Sequence, residues 1–129
     1  MKPTFEKLNI KEGMRVAVIG EVSGYRQMVE APEGWMCFVD LAGSPQLIHV
    51  FVQHADELER IFPSLKQQIP KDGAIWVSWP KAKSALPRTI NENIIRDTGL
   101  ALGLVDNKVC SVNEDWSALR FVYRLRDRG

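Results

Sequence analysis

"VAVIGEVSGY", Val16–Tyr25, decides the fold. With Met14 and Arg15 before it, the stretch to Ile19 is an apolar, β-branched run that stops at Gly20. Such a run suits a strand buried on both faces. The loop after it carries a second glycine, Gly24. Glycines there let the chain turn sharply and let backbone N–H groups come close to a ligand. A buried strand that enters a glycine loop begins an α/β sheet, and the rest of the chain is read for the elements that continue it.

Those elements alternate. "YRQMVEAP" predicts a short helix ending near Pro32. "WMCFVDL" (Trp35–Leu41) and "QLIHVFV" (Gln46–Val52) read as strands. Leu58, Ile61 or Phe62, Leu65 and Ile69 then recur at helical spacing, opposite Glu57, Glu59, Arg60, Lys66 and Gln67. Pro63 interrupts that pattern and predicts a kink, or two short helices with Pro63 in the first turn of the second. "PKDG" is a turn, and "AIWVSW" (Ala74–Trp79) is a strand stopped by Pro80. After "PKAKSALPR", Thr89 or Asn91 caps a helix with Ile90, Ile94, Ile95 and Leu102 on its apolar face and Gly99 or Gly103 at its end.

Two strands close the chain. One is "KVCSV" (Lys108–Val112). The other places Leu119, Phe121, Tyr123 and Leu125 on one face and Arg120, Arg124 and Arg126 on the other, as in a half-exposed edge strand blunted by charge. Only the turn "NEDWS" separates them, so the final strand runs antiparallel to its neighbours. The link "AGSP" between the second and third strands is shorter than the roughly dozen residues of a parallel crossover. The second strand is therefore either very short or antiparallel.

Composition bounds the function. The chain has 129 residues, 45% hydrophobic and 26% charged, with a net charge of +1. This fits one globular domain over residues 1–129, with no electrostatic pull towards nucleic acid or a membrane surface. No apolar segment approaches the roughly 20 residues that span a bilayer. "MKPTFEKLNIKEG" is mixed in charge and unlike a secretory signal, so a cytoplasmic location is expected. Cys37 and Cys110, far apart in apolar runs, are expected to be buried, reduced thiols. The two histidines are separated and lack clustered carboxylates, so no metal site is expected.

The order of elements resembles a class I S-adenosylmethionine methyltransferase domain. "IKEGMRVAVIG" is similar to its opening strand and glycine loop, "LERIFPSLKQQIPKDGAIWVSW" to its helix, turn and next strand, and the closing pair to its reversed hairpin. "LNIKEGMRVAVIG", "WPKAKS" and "GLVDNKVCSVNEDWSALRFVYR" together resemble an uncharacterised bacterial family, domain of unknown function 3052. Its members read "WPKK" before a serine and a glycine after "WS", where this chain has Ala82 and Ala118. The resemblance implies an α/β, Rossmann-like (methyltransferase-like) three-layer sandwich with a mostly parallel sheet and an antiparallel C-terminal strand, and it brings no established activity.

Two candidate sites follow. Gly20, Glu21, Gly24 and Asp40 form the cofactor candidate, with Asp40 placed to grip ribose hydroxyls. Glu21 repels a phosphate but suits an amino group, and Val22 stands where a small residue is wanted. The short second link removes the walls of an adenine pocket. The loop is therefore expected to be a structural remnant with no cofactor.

The second candidate is the carboxyl edge of the strands, where Glu21, Ser23, Asp40, Gln53, His54, Lys81, Lys83 and Ser84 converge. There Trp79 could offer an aromatic platform, with Lys81, Lys83, Ser84 and His54 gripping a small acidic ligand. The competing reading packs Trp79 in the core, leaves the lysines solvated and has His54 cap a helix; His49 is read as packed. Ser23, Ser44 and Ser84 form no nucleophile motif with either histidine.

The functional expectation is a methyltransferase-like domain without methyl transfer, acting as a binding or interaction module. The alternatives are a small enzyme or acidic-ligand-binding protein using Trp79–Ser84, and a subunit that forms a homo-oligomer through apolar surface. Neither a nucleic acid nor a membrane is expected as partner.

Overall fold

In the computed structural model, which describes residues 2–20 and 23–128, the opening run is β1 (Arg15–Ile19). It pairs in parallel with β3 (Leu47–Phe51), Val16 opposite Leu47, and β3 pairs in parallel with β4 (Ala74–Pro80), Leu47 opposite Ala74. Every residue of β3 and β4 is buried, as their near-continuous apolar sequences require. β2 (Cys37–Phe38) lies outside β1 and is parallel to it. Because β2 has only two residues, one 3₁₀ turn, Leu41–Gly43, carries the chain back to β3. That resolves the short link in favour of a very short strand rather than an antiparallel one.

β5 (Leu104–Ser111) and β6 (Trp116–Tyr123) form an antiparallel hairpin, and β6 also pairs antiparallel with β4. The sheet order is β2-β1-β3-β4-β6-β5. The chain leaves β1 in one direction for β2 and in the other for β3, so the order reverses between β1 and β3. In open α/β sheets that is where ligands bind, beyond the carboxyl ends of the strands.

Helices cover both faces. α3 (Ala55–Gln68) and α4 (Glu92–Ala101) bury Leu58, Phe62, Leu65 and Ile95 against Ile48, Val50, Ile75, Leu119 and Phe121. The four-residue helices α1 (Thr4–Lys7) and α2 (Tyr25–Met28) cover the other face, where Phe5, Leu8, Tyr25 and Val29 pack with Val16, Phe51 and Trp76. Asn91 caps α4, its Oδ1 accepting the Ile94 N–H at 2.9 Å. Thr89 instead serves α3, its Oγ1 accepting the Ala55 N–H at 3.2 Å. Gly99 lies inside α4, against the Phe121 ring, and the helix closes before Gly103, whose φ is +87°.

Three expectations are corrected. α3 is one continuous helix through Pro63. Glu59 and Pro63 are both exposed, so the carbonyl deprived of a helical donor lies on the water side, while burial of Leu58, Phe62 and Leu65 holds the helix together. β6 is not an edge strand: β5 begins earlier than expected, at Leu104, and takes the edge. Arg120 is consequently half-buried inside the sheet, and Leu125 leaves it for an exposed 3₁₀ turn. Cys37 is exposed and Cys110 half-buried, because β2 and β5 are the two edges.

Candidate functional site

At the strand switch point lies a cleft of about 590 Å³, lined by Gly20, Phe51, Gln53, Glu57, Leu86, Asp115 and Trp116. Gly20 ends β1 at a φ of +113°, and a Cβ there would stand 3.0 Å from the Phe51 Cβ. Both the left-handed backbone and the close approach call for glycine. The Phe51 and Trp116 rings meet edge to face at 5.1 Å and give the cleft an aromatic wall. Trp116 is set by the turn before it, where the Asn113 Oδ1 accepts the N–H groups of Asp115 and Trp116, each at 2.9 Å.

The polar groups of the cleft are already oriented. The Glu57 carboxylate accepts the N–H of His54 at 3.0 Å and that of Gln53 at 3.4 Å, closing the first turn of α3. Gln53 donates its side-chain N–H to the Pro87 carbonyl at 3.0 Å. Asp115 accepts the Ser84 hydroxyl at 2.9 Å. Among the described lining residues there are two carboxylates and no cation.

The predicted residues divide. Gly20 and Gln53 line the cleft. Ser84 supports it through Asp115, and Lys81 donates its backbone N–H to the Asp115 carbonyl at 2.8 Å while its ammonium reaches the Ser111 hydroxyl. His54 stands at the start of α3 with its Nδ1 3.2 Å from the Thr89 hydroxyl. Gly24, with a φ of +71°, is exposed before α2, and Ser23, Asp40 and Lys83 are exposed. Asp40 is not among the residues lining the cleft. Glu21 and Val22 lie outside the described residues. Trp79 is buried in the helix-side core, so the expected aromatic platform is corrected: the aromatic side chain lining the cleft from this side is the half-buried Trp116.

Asp115, Trp116, Phe51, Leu86 and Glu57 escape the sequence reading. They come from four separate segments, and the "DW" pair reads as an ordinary turn until the hairpin folds beside β4. The reading also leaves unseen the partners of His49. Its Nδ1 is 2.6 Å from the Tyr25 hydroxyl and its Nε2 2.6 Å from the Ser78 hydroxyl, all three side chains being buried. The ring stacks on Phe51 at 4.4 Å. Burial pushes the His49 pKa down to about 3 and the Tyr25 phenol well above its ordinary value. A neutral imidazole therefore links α2 to β3 and β4.

No protein-family model and no curated protein matches the chain. Solved structures do. A S-adenosylmethionine-dependent methyltransferase from Aquifex aeolicus superposes with a TM-score of 0.66 at 12% identity, over 91% of this chain and 86% of that one. A protein of the NADB-Rossmann superfamily from Streptococcus agalactiae gives 0.60 at 11% identity, over 95% and 68%. Magnesium protoporphyrin IX methyltransferase from Synechocystis, with bound S-adenosylhomocysteine, gives 0.54 at 13%, over 92% and 78%. The likeness shows a methyltransferase-like Rossmann fold. Among the described residues no helix is long and apolar enough to cross a membrane, and no group of three or more His, Cys, Asp or Glu could hold a metal ion.

Proposed function

We propose that the chain is a binding module on a methyltransferase-like fold, one that holds a small ligand in the switch-point cleft and transfers no methyl group. The observation that carries this reading is the cleft itself, whose volume falls within the roughly 300–1,000 Å³ of small-molecule sites. An aromatic wall beside two pre-oriented carboxylates suits a flat, neutral or cationic compound better than the acidic one expected from Lys81 and Lys83. Against methyl transfer stand the ribose-gripping candidate Asp40, which is not part of the cleft lining, and the single 3₁₀ turn where an adenine wall would need chain. A ligand the size of S-adenosylmethionine reaches micromolar affinity only with about −8 kcal/mol, most of it from enclosure.

Calorimetry at high protein concentration tests both halves. S-adenosylmethionine is expected to give no saturable micromolar heat. A panel of small aromatic amines is expected to contain a binder whose heat is lost in Trp116→Ala. A micromolar S-adenosylmethionine isotherm, abolished by Asp40→Ala and by Gly20→Val, overturns the proposal and makes the glycine loop a working cofactor site.

A further inference from the structure

At the end of the sheet opposite the cleft is a second concavity, of about 140 Å³, lined by Lys71, Asp72, Asn107, Arg120, Val122 and Arg128 together with Gly73. Its position follows from the topology. Lys71 to Gly73 precede β4, while Val122 is near the end of antiparallel β6. Leu119 and Phe121 face α3 and α4, so strand alternation turns Arg120 and Val122 to the other side, beyond the cover of α1 and α2.

Three cations and one carboxylate line this small space. Among the described residues the Arg120 Nε is buried without a hydrogen-bond partner, and its guanidinium makes only a long contact, 3.4 Å, to the Asn107 Oδ1. Asn107 is the extra residue of a bulge between Asp106 and Lys108, where the β5–β6 register shifts, and bulges re-aim side chains in this way. Arg128 is held by its Nε, which donates to the Tyr123 carbonyl at 2.9 Å, leaving its terminal nitrogens to point elsewhere. The ion pairs among the described residues belong to Arg96, with Glu92 and with Asp106, so Asp72 pairs with neither arginine. Burial, with Arg128 nearby, lowers the Arg120 pKa.

A half-buried guanidinium with an unmet donor beside a second like charge is costly unless an acceptor arrives. Arginine forks match oxyanions in geometry as well as charge. We propose that this concavity is a binding site for a single phosphate-sized oxyanion, held by Arg120, Arg128 and Lys71 with Asn107 orienting Arg120. A volume below the roughly 300 Å³ of small-molecule pockets admits one such group and not a nucleotide.

The test uses the full chain and inorganic phosphate, followed by the NMR signals of the arginine Nε–H groups and the Asn107 amide. The expected result is saturable shifts at Arg120, Arg128 and Asn107, with a dissociation constant on the order of a millimolar. Arg128→Gln and Lys71→Gln alter exposed side chains outside the strands and leave the fold intact. Each should weaken binding about tenfold, the worth of one charge-assisted bond. Lys83→Gln, in the loop beyond the other end of β4, should change nothing. Sodium chloride at matched ionic strength producing the same shifts, or full phosphate affinity in both variants, would mean an adventitious ion only and overturn the site.

Discussion

The two faces of the sheet are held by different physics. On one, a fourteen-residue and a ten-residue helix lay apolar stripes on the strands, and Phe62 meets Phe121 ring to ring at 5.2 Å. Gly99 lets α4 come close enough that a Cβ there would fall 2.2 Å from the Phe121 ring. The other face is covered by two helices of four residues each, too short to hold themselves. It adds specific polar ties to its apolar packing: the Tyr25–His49–Ser78 chain, and the Trp76 indole N–H donating to the Leu8 carbonyl at 3.0 Å. Where helices are long, burial area dominates, and the polar ties there, Tyr123 and Lys66 donating to the carbonyls of Lys66 and Leu102, lie at the partly exposed margin. Where they are short, each buried polar group needs a partner, and those partners fix where α1 and α2 sit.

If that contrast holds, the largest effect is that of acid on the short-helix face. The His49 pKa lies near 3 when folded and near 6.5 when unfolded. Between those values the unfolded chain binds a proton that the folded chain does not, so stability rises with pH and is lost as pH falls from 6.5 towards 3. The loss is up to about 1.4 kcal/mol per pH unit and about 5 kcal/mol in all. Urea unfolding at pH 6.5 and 5 isolates it from most carboxylates. A flat wild-type profile there, or an undiminished slope in His49→Gln, breaks the assignment of a neutral buried imidazole.

Volume should matter most on the opposite face. Phe62→Ala removes a fully buried ring and should cost about 3–5 kcal/mol, read as a lower denaturation midpoint with little change in its pH dependence. Tyr25→Phe keeps the ring and removes one hydroxyl. It should cost about 1–3 kcal/mol by leaving His49 short of a partner. In a double-mutant cycle with Ser78→Ala the two changes should couple by about 0.5 kcal/mol or more, and strict additivity would show that the chain is not a unit. At the small end, Lys81→Ala and Lys83→Ala each should shift stability by less than about 0.5 kcal/mol. A larger loss from either would mean that the loop after β4 carries more of the fold than its exposed lysine and single ammonium–hydroxyl contact indicate.

Legibility follows the same division. β1, β3 and β4 were readable because both of their faces are covered, so nearly every residue is apolar. The apolar stripe of α3 is legible, but the effect of Pro63 is not, since burial of the inner face outweighs one lost hydrogen bond at the surface. The first half of β5 was missed because an edge strand with a bulge carries no clean alternation. At the cleft, Gly20 is legible from the glycine-loop pattern and Gln53 from the rule that ligands lie beyond strand ends, whereas Trp116 and Asp115 are not, because nothing local marks a hairpin turn as a wall of a cleft made by another strand.

By itself, then, the sequence determined the alternation of strands and helices, the antiparallel end of the sheet and the glycine at the end of β1. These depend on periodicity, on connection length and on backbone geometry, all local quantities. Tertiary structure alone decided which polar groups meet. His49 receives Tyr25 and Ser78 from segments 24 and 29 residues away, and Asp115 receives Ser84 from 31 residues away. Hydrogen bonds require contact within about 3 Å, and no periodicity in the chain encodes which distant residues the sheet will bring that close.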